Sequence, residues 1–258
     1  MNILLLIFLQ FFNAFAGSFT VKSWNLLHLS DKKLYKKDKT FISKYLSQDD
    51  FDVFVVQEVL DKKVLNLLTD KQVLYSKKSG RKRYKEYIAF IVPKKYKNVK
   101  VIDYYDSHDS FERDPAMVVI GNIGVVGVHL IYGRKKARYG GLTKKEVRAL
   151  KNMVKYFSKK SGLPENRIII AGDFNLPTYK IRRVIPKEQK VLIDKGTTVS
   201  TSKKKLAAHD YDHFLIQKSI SGKAFVDYKV LGKDKSAENR KRFRKRISDH
   251  YPIIFIMV

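Results

Sequence analysis

Apolar positions along this chain fall in short unbroken blocks at 19–27 (FTVKSWNLL), 52–57 (DVFVVQ), 87–92 (YIAFIV), 116–131 (AMVVIGNIGVVGVHLI), 167–171 (RIIIA), 213–217 (HFLIQ) and 253–257 (IIFIM). Blocks of that length predict strands. One segment has helical spacing instead. Over 143–159, Val147, Leu150, Val154 and Phe157 fall on one face, and Thr143 with Glu146 reads as a capping box. Weaker helical patterns cover 38–48 and 61–69. Strands interrupted by occasional helices, with no internal repeat, predict an α/β or α+β domain built on packed sheets.

Residues 1–16 (MNILLLIFLQFFNAFA) stand apart. They are apolar from Ile3 to Phe12, and the first charged side chain is Lys22. The run is shorter than the ~20 apolar residues needed to cross a bilayer. Ala14-Phe15-Ala16 before Gly17 fits a signal-peptidase site. The expectation is a cleaved signal peptide at 1–16, no membrane span in the mature chain, and a secreted or periplasmic protein.

Composition narrows the class. The 258 residues hold 53 Lys and Arg against 25 Asp and Glu, a formal charge of +28. Like charges repel in the compact state, so such an imbalance serves attraction to a polyanion. Nucleic acid, anionic lipid and acidic polysaccharide are the candidates. The absence of cysteine excludes disulfide scaffolds, thiolate zinc sites and Cys nucleophiles. The cations cluster at 77–85 (KKSGRKRYK), 134–148, 203–205 and 240–246 (RKRFRKR), with Tyr84 and Phe243 inside two of the runs. Aromatic rings among cations suit contact with sugars or bases.

Chemistry-bearing side chains sit where the predicted strands end. Asn25 follows Trp24, Glu58 follows FVVQ, and His129 lies in VGVHLIYG. Asp173 and Asn175 terminate IIIAGDFN, Asp212 precedes HFLI, and Asp249-His250 precede the last strand. Oxygen donors in this number suit Mg²⁺ better than zinc. Each has an ordinary reading alone: a turn at Gly172-Asp173, an ion pair at Glu58, a core histidine at 129, a strand cap at Ser248-Asp249. Their joint occurrence, in order, argues against that.

The ordered set QE (57–58), YKE (84–86), RDPA (113–116), VHL (128–130), GDFN (172–175), YD (211–212) and SDHYP (248–252) resembles the endonuclease/exonuclease/phosphatase superfamily, in its deoxyribonuclease I branch. The resemblance runs from about Phe19 to the C-terminus. It implies a two-sheet β-sandwich flanked by helices. It also implies that Glu58, with Asn25 and Asp249, holds a divalent metal, Mg²⁺ with Mn²⁺ as a substitute. Asp173 and Asn175 would orient the scissile phosphate or the nucleophile. His250 backed by Asp212 would be the base and His129 backed by Glu86 the acid, while Arg113 and Tyr84 contact phosphates.

Three departures qualify the resemblance. The disulfide loop before the Arg113 motif is missing. Gly196 stands in GTTVSTS where the calcium-binding pattern has Asp, which argues against calcium dependence. Leucines follow Asn25, and Val-Leu follows Glu58, where minor-groove basic residues are expected. The cationic runs, Arg240, Arg242, Arg244 and Arg246 among them, are expected to take over DNA contact. The expected activity is that of a Mg²⁺-dependent, sequence-nonspecific DNA endonuclease leaving 5′-phosphate ends, acting as a monomer. The rivals are a phosphoinositide or sphingomyelin phosphodiesterase of the same superfamily, a toxin nuclease subunit with partner chains, and a noncatalytic DNA-binding protein.

Overall fold

Every position of strand β2 (Val53–Val59) is buried, and a strand can bury both faces only inside a layered structure. Phe54 packs edge-on against Tyr45 of helix Lys39–Leu46. Val55, one residue on, points the other way. There it comes so close to Gly127 that a Cβ on that glycine would lie 2.8 Å from Val55 and 2.3 Å from Ile88. Gly127 is thus a point of close approach between two sheets.

The computed structural model describes residues 18–81, 85–133 and 141–258. The other strands are β1 (Phe19–Leu29), β3 (Gln72–Tyr75), β4 (Tyr87–Val92), β5 (Val101–Asp103), β6 (Ala116–Ile120), β7 (Ile123–His129), β8 (Ile168–Asp173), β9 (Gln189–Val191), β10 (Asp212–Gln217), β11 (Gly222–Val226) and β12 (Ile253–Met257). They form two six-stranded sheets, ordered β11-β12-β1-β2-β4-β3 and β5-β6-β7-β8-β10-β9. In each sheet the central pair is parallel (β1 with β2, β7 with β8) and its other pairings are antiparallel. This is the two-sheet sandwich flanked by helices that the resemblance implied.

The apolar block 116–131 divides into β6 and β7, because Gly121 takes a φ of 58° and turns the chain back. The alternation within β7 then serves two layers. Val125 joins the core between the sheets, and Val126 and Val128 face helix Gly141–Ser161, whose Val147, Leu150, Val154 and Phe157 cover them. The expected capping box does not form. Thr143 Oγ1 donates to Ile131 O at 2.6 Å, and Glu146 accepts the Glu112 and Ile131 amides, each at 2.6 Å. Residues 1–16, read as a signal peptide, lie outside the described residues, and none of the described helices is long and apolar enough to cross a membrane.

Candidate active site

Strand pairing alone assembles half of the site. His129 pairs with Asp173 across β7 and β8, and Asp173 pairs with Asp212 across β8 and β10. Directly opposed residues share a face, so three neighbouring strands present His129, Asp173 and Asp212 side by side at one end of the sandwich. The close β7–β8 pairing requires glycine at 172. Its φ is 150°, and a Cβ there would meet Val128 O at 2.0 Å.

The first sheet supplies the opposite wall. Asn25 pairs with Gln57 in β1–β2. Alternation alone would turn Glu58 away, but its φ of 60° breaks the pleat where the β2–β4 register shifts. The carboxylate thereby reaches Asn25, whose Nδ2 donates to Glu58 Oε1 at 2.9 Å and to Asp173 Oδ2 at 3.2 Å. Leu27 (50°), His28 (51°) and Asn175 (47°) also carry left-handed φ values. Backbone strain of this kind persists only where surrounding contacts over-determine it. Two direct bonds and one bridge tie the last segment to β1: Trp24 Nε1 donates to His250 O, Ser248 Oγ to Asn25 O, and Lys37 Nζ donates to both Leu26 O and Ile247 O. Burial lowers the Lys37 pKa to about 8.

The two histidines are arranged alike. His129 Nδ1 lies 2.6 Å from Glu86 Oε1, and His250 Nδ1 lies 2.7 Å from Asp212 Oδ2. Each Nε2 is 3.7 Å from the same atom, Asp173 Oδ2. Burial pulls both imidazole pKa values down, but the carboxylates more than reverse this. His129 ends above its ordinary value, and His250, facing Asp212 and Asp173, is pushed up to about 10. Burial moves Asp173 the other way, raising a carboxyl that the two histidines pull back down. Glu86 also faces Arg113, with Nε 3.1 Å from Oε2.

These groups line an open pocket of about 450 Å³. Glu58, Arg113, His129, Asp173, Asn175, Asp249 and His250 reach it as expected, with Glu86 and Asp212 behind the histidines. Tyr84 lies outside the described residues. Of the C-terminal arginines only Arg244 lines the pocket, 3.8 Å from Asp249 Oδ2. Arg240 is a correction. It falls on the inner face of its helix with Phe243, is buried, and donates to the carbonyls of Ser200, Ser202 and Lys235. An arginine satisfied by backbone inside the protein does not reach DNA. Arg242 and Arg246 are exposed and line a separate groove.

Sequence reasoning missed His28, whose Nδ1 lies 2.7 Å from Glu58 Oε2; nothing in LLHLS marks it. It also gave no role to Tyr132, Tyr211 and His209. The Tyr211 ring stacks on His209 at 4.8 Å and lies 6.3 Å from Tyr132, forming an aromatic wall beside the pocket.

The donor set fits a divalent cation. Hydrogen bonds and charge from His28 and the His129 charge, with the Asn25 bond, overcome burial and keep Glu58 ionised well below the usual carboxylate range. The buried Oδ1 atoms of Asp249 and Asp212 have no hydrogen-bond partner among the described residues. Asp173, Asp212 and His250 form a second, adjoining group whose ligand atoms lie within 4.8 Å of one another. Gly196, by contrast, packs on Ala207, where a Cβ would meet its Cβ at 2.6 Å.

No sequence-family model matches the chain, and no curated protein matches it by sequence. Solved structures do match. TDP2 of D. rerio, in complex with a single-strand DNA product, is 15% identical over 94% of this chain and 99% of that one, with a TM-score of 0.62. The chain has the fold of the endonuclease/exonuclease/phosphatase proteins. A protein of that family from Bacteroides thetaiotaomicron is 15% identical, covering 93% of this chain and 95% of its own, with a TM-score of 0.63. A mannosyl-6-phosphatase from the same organism is 14% identical over 93% and 99%, with a TM-score of 0.60. Proteins of this architecture thus include one solved with a single-strand DNA product and one that is a mannosyl-6-phosphatase.

Proposed function

We propose that this protein is an exported, divalent-metal-dependent phosphodiesterase that cuts DNA without sequence preference and leaves 5′-phosphate ends. The observation that carries the reading is the convergence of two carboxylate-backed imidazoles on Asp173 Oδ2, each at 3.7 Å. A module that only binds DNA has no use for a buried carboxylate between two such pairs.

A phosphodiester is anionic and repels an incoming nucleophile until cations neutralise it. Arg113 and the His250 imidazolium supply that charge from this chain. With its pKa near 10, His250 enters protonated at neutral pH, which favours a charge-stabilising role over that of base. The proton of the attacking water then goes to Asp173, whose raised pKa suits an acceptor. His129, protonated through Glu86, donates to the departing 3′ oxygen. Asn25 fixes the Asp173 carboxylate, and Asn175 Nδ2 is anchored on Leu130 O. Glu58 and Asp249 would hold Mg²⁺, which would steady charge building on the phosphoryl oxygens; Asn25, expected as a third ligand, instead turns its Nδ2 to the Glu58 and Asp173 carboxylates and its Oδ1 to the Leu27 amide.

The deciding experiment is nicking of supercoiled plasmid. EDTA should abolish it, Mg²⁺ or Mn²⁺ should restore it, and EGTA in excess Mg²⁺ should change little. Hydrolysis of phosphoinositide or sphingomyelin without plasmid nicking would overturn the reading in favour of a lipid phosphodiesterase. Retention of plasmid without cleavage under any metal would leave a binding protein.

A further inference from the structure

The helix Ala237–Arg246 has two faces. Arg240 and Phe243 are buried. Glu238, Lys241, Arg242, Lys245 and Arg246 recur at helical spacing on the outside, and all four cations are exposed. Lys241 with Lys245, and Arg242 with Arg246, are like-charge pairs one turn apart, an arrangement that destabilises a helix. The helix dipole favours the cations of the last turn but not Lys241 and Arg242. Glu238, three and four residues before Lys241 and Arg242, offsets part of this, but Lys245 and Arg246 have no carboxylate one turn away on the helix, so folding does not account for the whole stripe.

The stripe faces Tyr35 and Lys36 across a groove of about 900 Å³. Tyr35 is 69% exposed, a large ring held in water with the Lys36 ammonium 5.2 Å from its centroid. Among the lining residues are five cations, one carboxylate and one exposed aromatic ring. The groove is also mechanically joined to the pocket. Asp38 N donates to Arg246 O at 2.8 Å, Lys37 holds Ile247 O, and Arg244 of the same helix turns into the catalytic site.

We propose that this groove binds a single strand of nucleic acid outside the catalytic pocket, with Lys36, Lys241, Arg242, Lys245 and Arg246 on successive phosphates and an unpaired base stacked on Tyr35. The cations match any polyanion. The exposed ring selects nucleic acid, because a base offers it a π-face, and selects an unpaired strand, because a paired base is already stacked. The inference deepens the nuclease reading and rests on it for the polyanion's identity.

The test is equilibrium binding of a fluorescent oligo-dT in EDTA, where no cleavage intervenes. Wild type is compared with Tyr35→Ala, Tyr35→Phe and the quadruple variant Lys241→Ala/Arg242→Ala/Lys245→Ala/Arg246→Ala, each matched for melting temperature. Four lost phosphate contacts should flatten the slope of log affinity against log salt by about 3, at ~0.7 per contact on a single strand. Tyr35→Ala should weaken oligo-dT by at least ~5-fold at an unchanged slope, Tyr35→Phe should not, and the difference should vanish on an abasic strand. A quadruple variant with wild-type slope and affinity overturns the groove while leaving plasmid nicking to judge the nuclease reading. If the quadruple variant loses heparin or anionic-vesicle binding while Tyr35→Ala binds oligo-dT normally, the groove is a generic polyanion surface and the proposal fails.

Discussion

The side chains at the centre of the site hold one another in defined charge states. His129 and His250 each face a carboxylate behind and Asp173 in front, so neither imidazole can turn without breaking a buried bond. We expect His129→Ala and His250→Ala each to lower kcat for plasmid nicking by at least ~10²-fold, the scale for a lost proton donor in the first case and for a lost charge-stabilising group in the second, while DNA binding in EDTA persists. A single variant nicking at the wild-type rate would refute its assigned role. The same geometry sets a pH dependence of stability. Folding raises the His250 pKa above the unfolded value to about 10. Its contribution is therefore fully present below the unfolded pKa of about 6.5 and is lost as pH rises through about 10. The melting temperature should fall between pH 7 and 10.5, and Asp212→Asn should show a shallower fall. Equal slopes in the two proteins would show that the pair does not stabilise the fold in this way.

At the scale of elements, Glu146 joins parts of the pocket that the sequence keeps far apart. It projects from the long helix, is buried, and its two oxygens hold the amides next to Arg113 and Tyr132. Burial pushes its carboxyl up to about 7. Glu146→Gln retains one acceptor and leaves the other, part-buried amide facing an NH₂ group, at a cost of up to about 1–3 kcal/mol for the unsatisfied donor. The expected outcome is a lower melting temperature and a raised KM for DNA, since Arg113 loses its fixed loop. An unaltered KM would restrict Glu146 to a stability role. The strands that the sequence hid are also explained at this scale. β3, β5, β9 and β11 are the four sheet edges. Edge strands are short and bury less; QVLY and VID are half-buried throughout and GKAFV alternates with exposed positions, so none produces a continuous apolar run.

A net +28 favours long polyanions wherever the chain meets them. The apolar residues 1–16 supply the reason to expect that meeting outside the cytoplasm. Expression in a secreting host should yield a product whose N-terminus, read by intact mass, is Gly17; recovery of the full chain in the membrane fraction would show a retained anchor instead.

Strand blocks such as YIAFIV and IIFIM, the amphipathic helix and the ordered motifs were legible because burial on both faces writes itself as unbroken apolar sequence. Local caps at Asp38 and Asp61 set the two shorter helices for the same local reason. The sequence also placed Asn25, Glu58, His129, Asp173, Asp212 and His250 at or near strand ends, the positions from which a rigid sheet presents functional groups. Tertiary structure decided the rest. Whether Arg240 touches solvent or carbonyls depends on which helix face meets Phe243's neighbours. Glu58 enters the site through one left-handed residue that alternation cannot foresee. The groove at Tyr35 exists only because segments some two hundred residues apart are held together at Asp38 and Arg246. Contacts of that range depend on sheet order and close packing, neither of which is written in any local window of sequence.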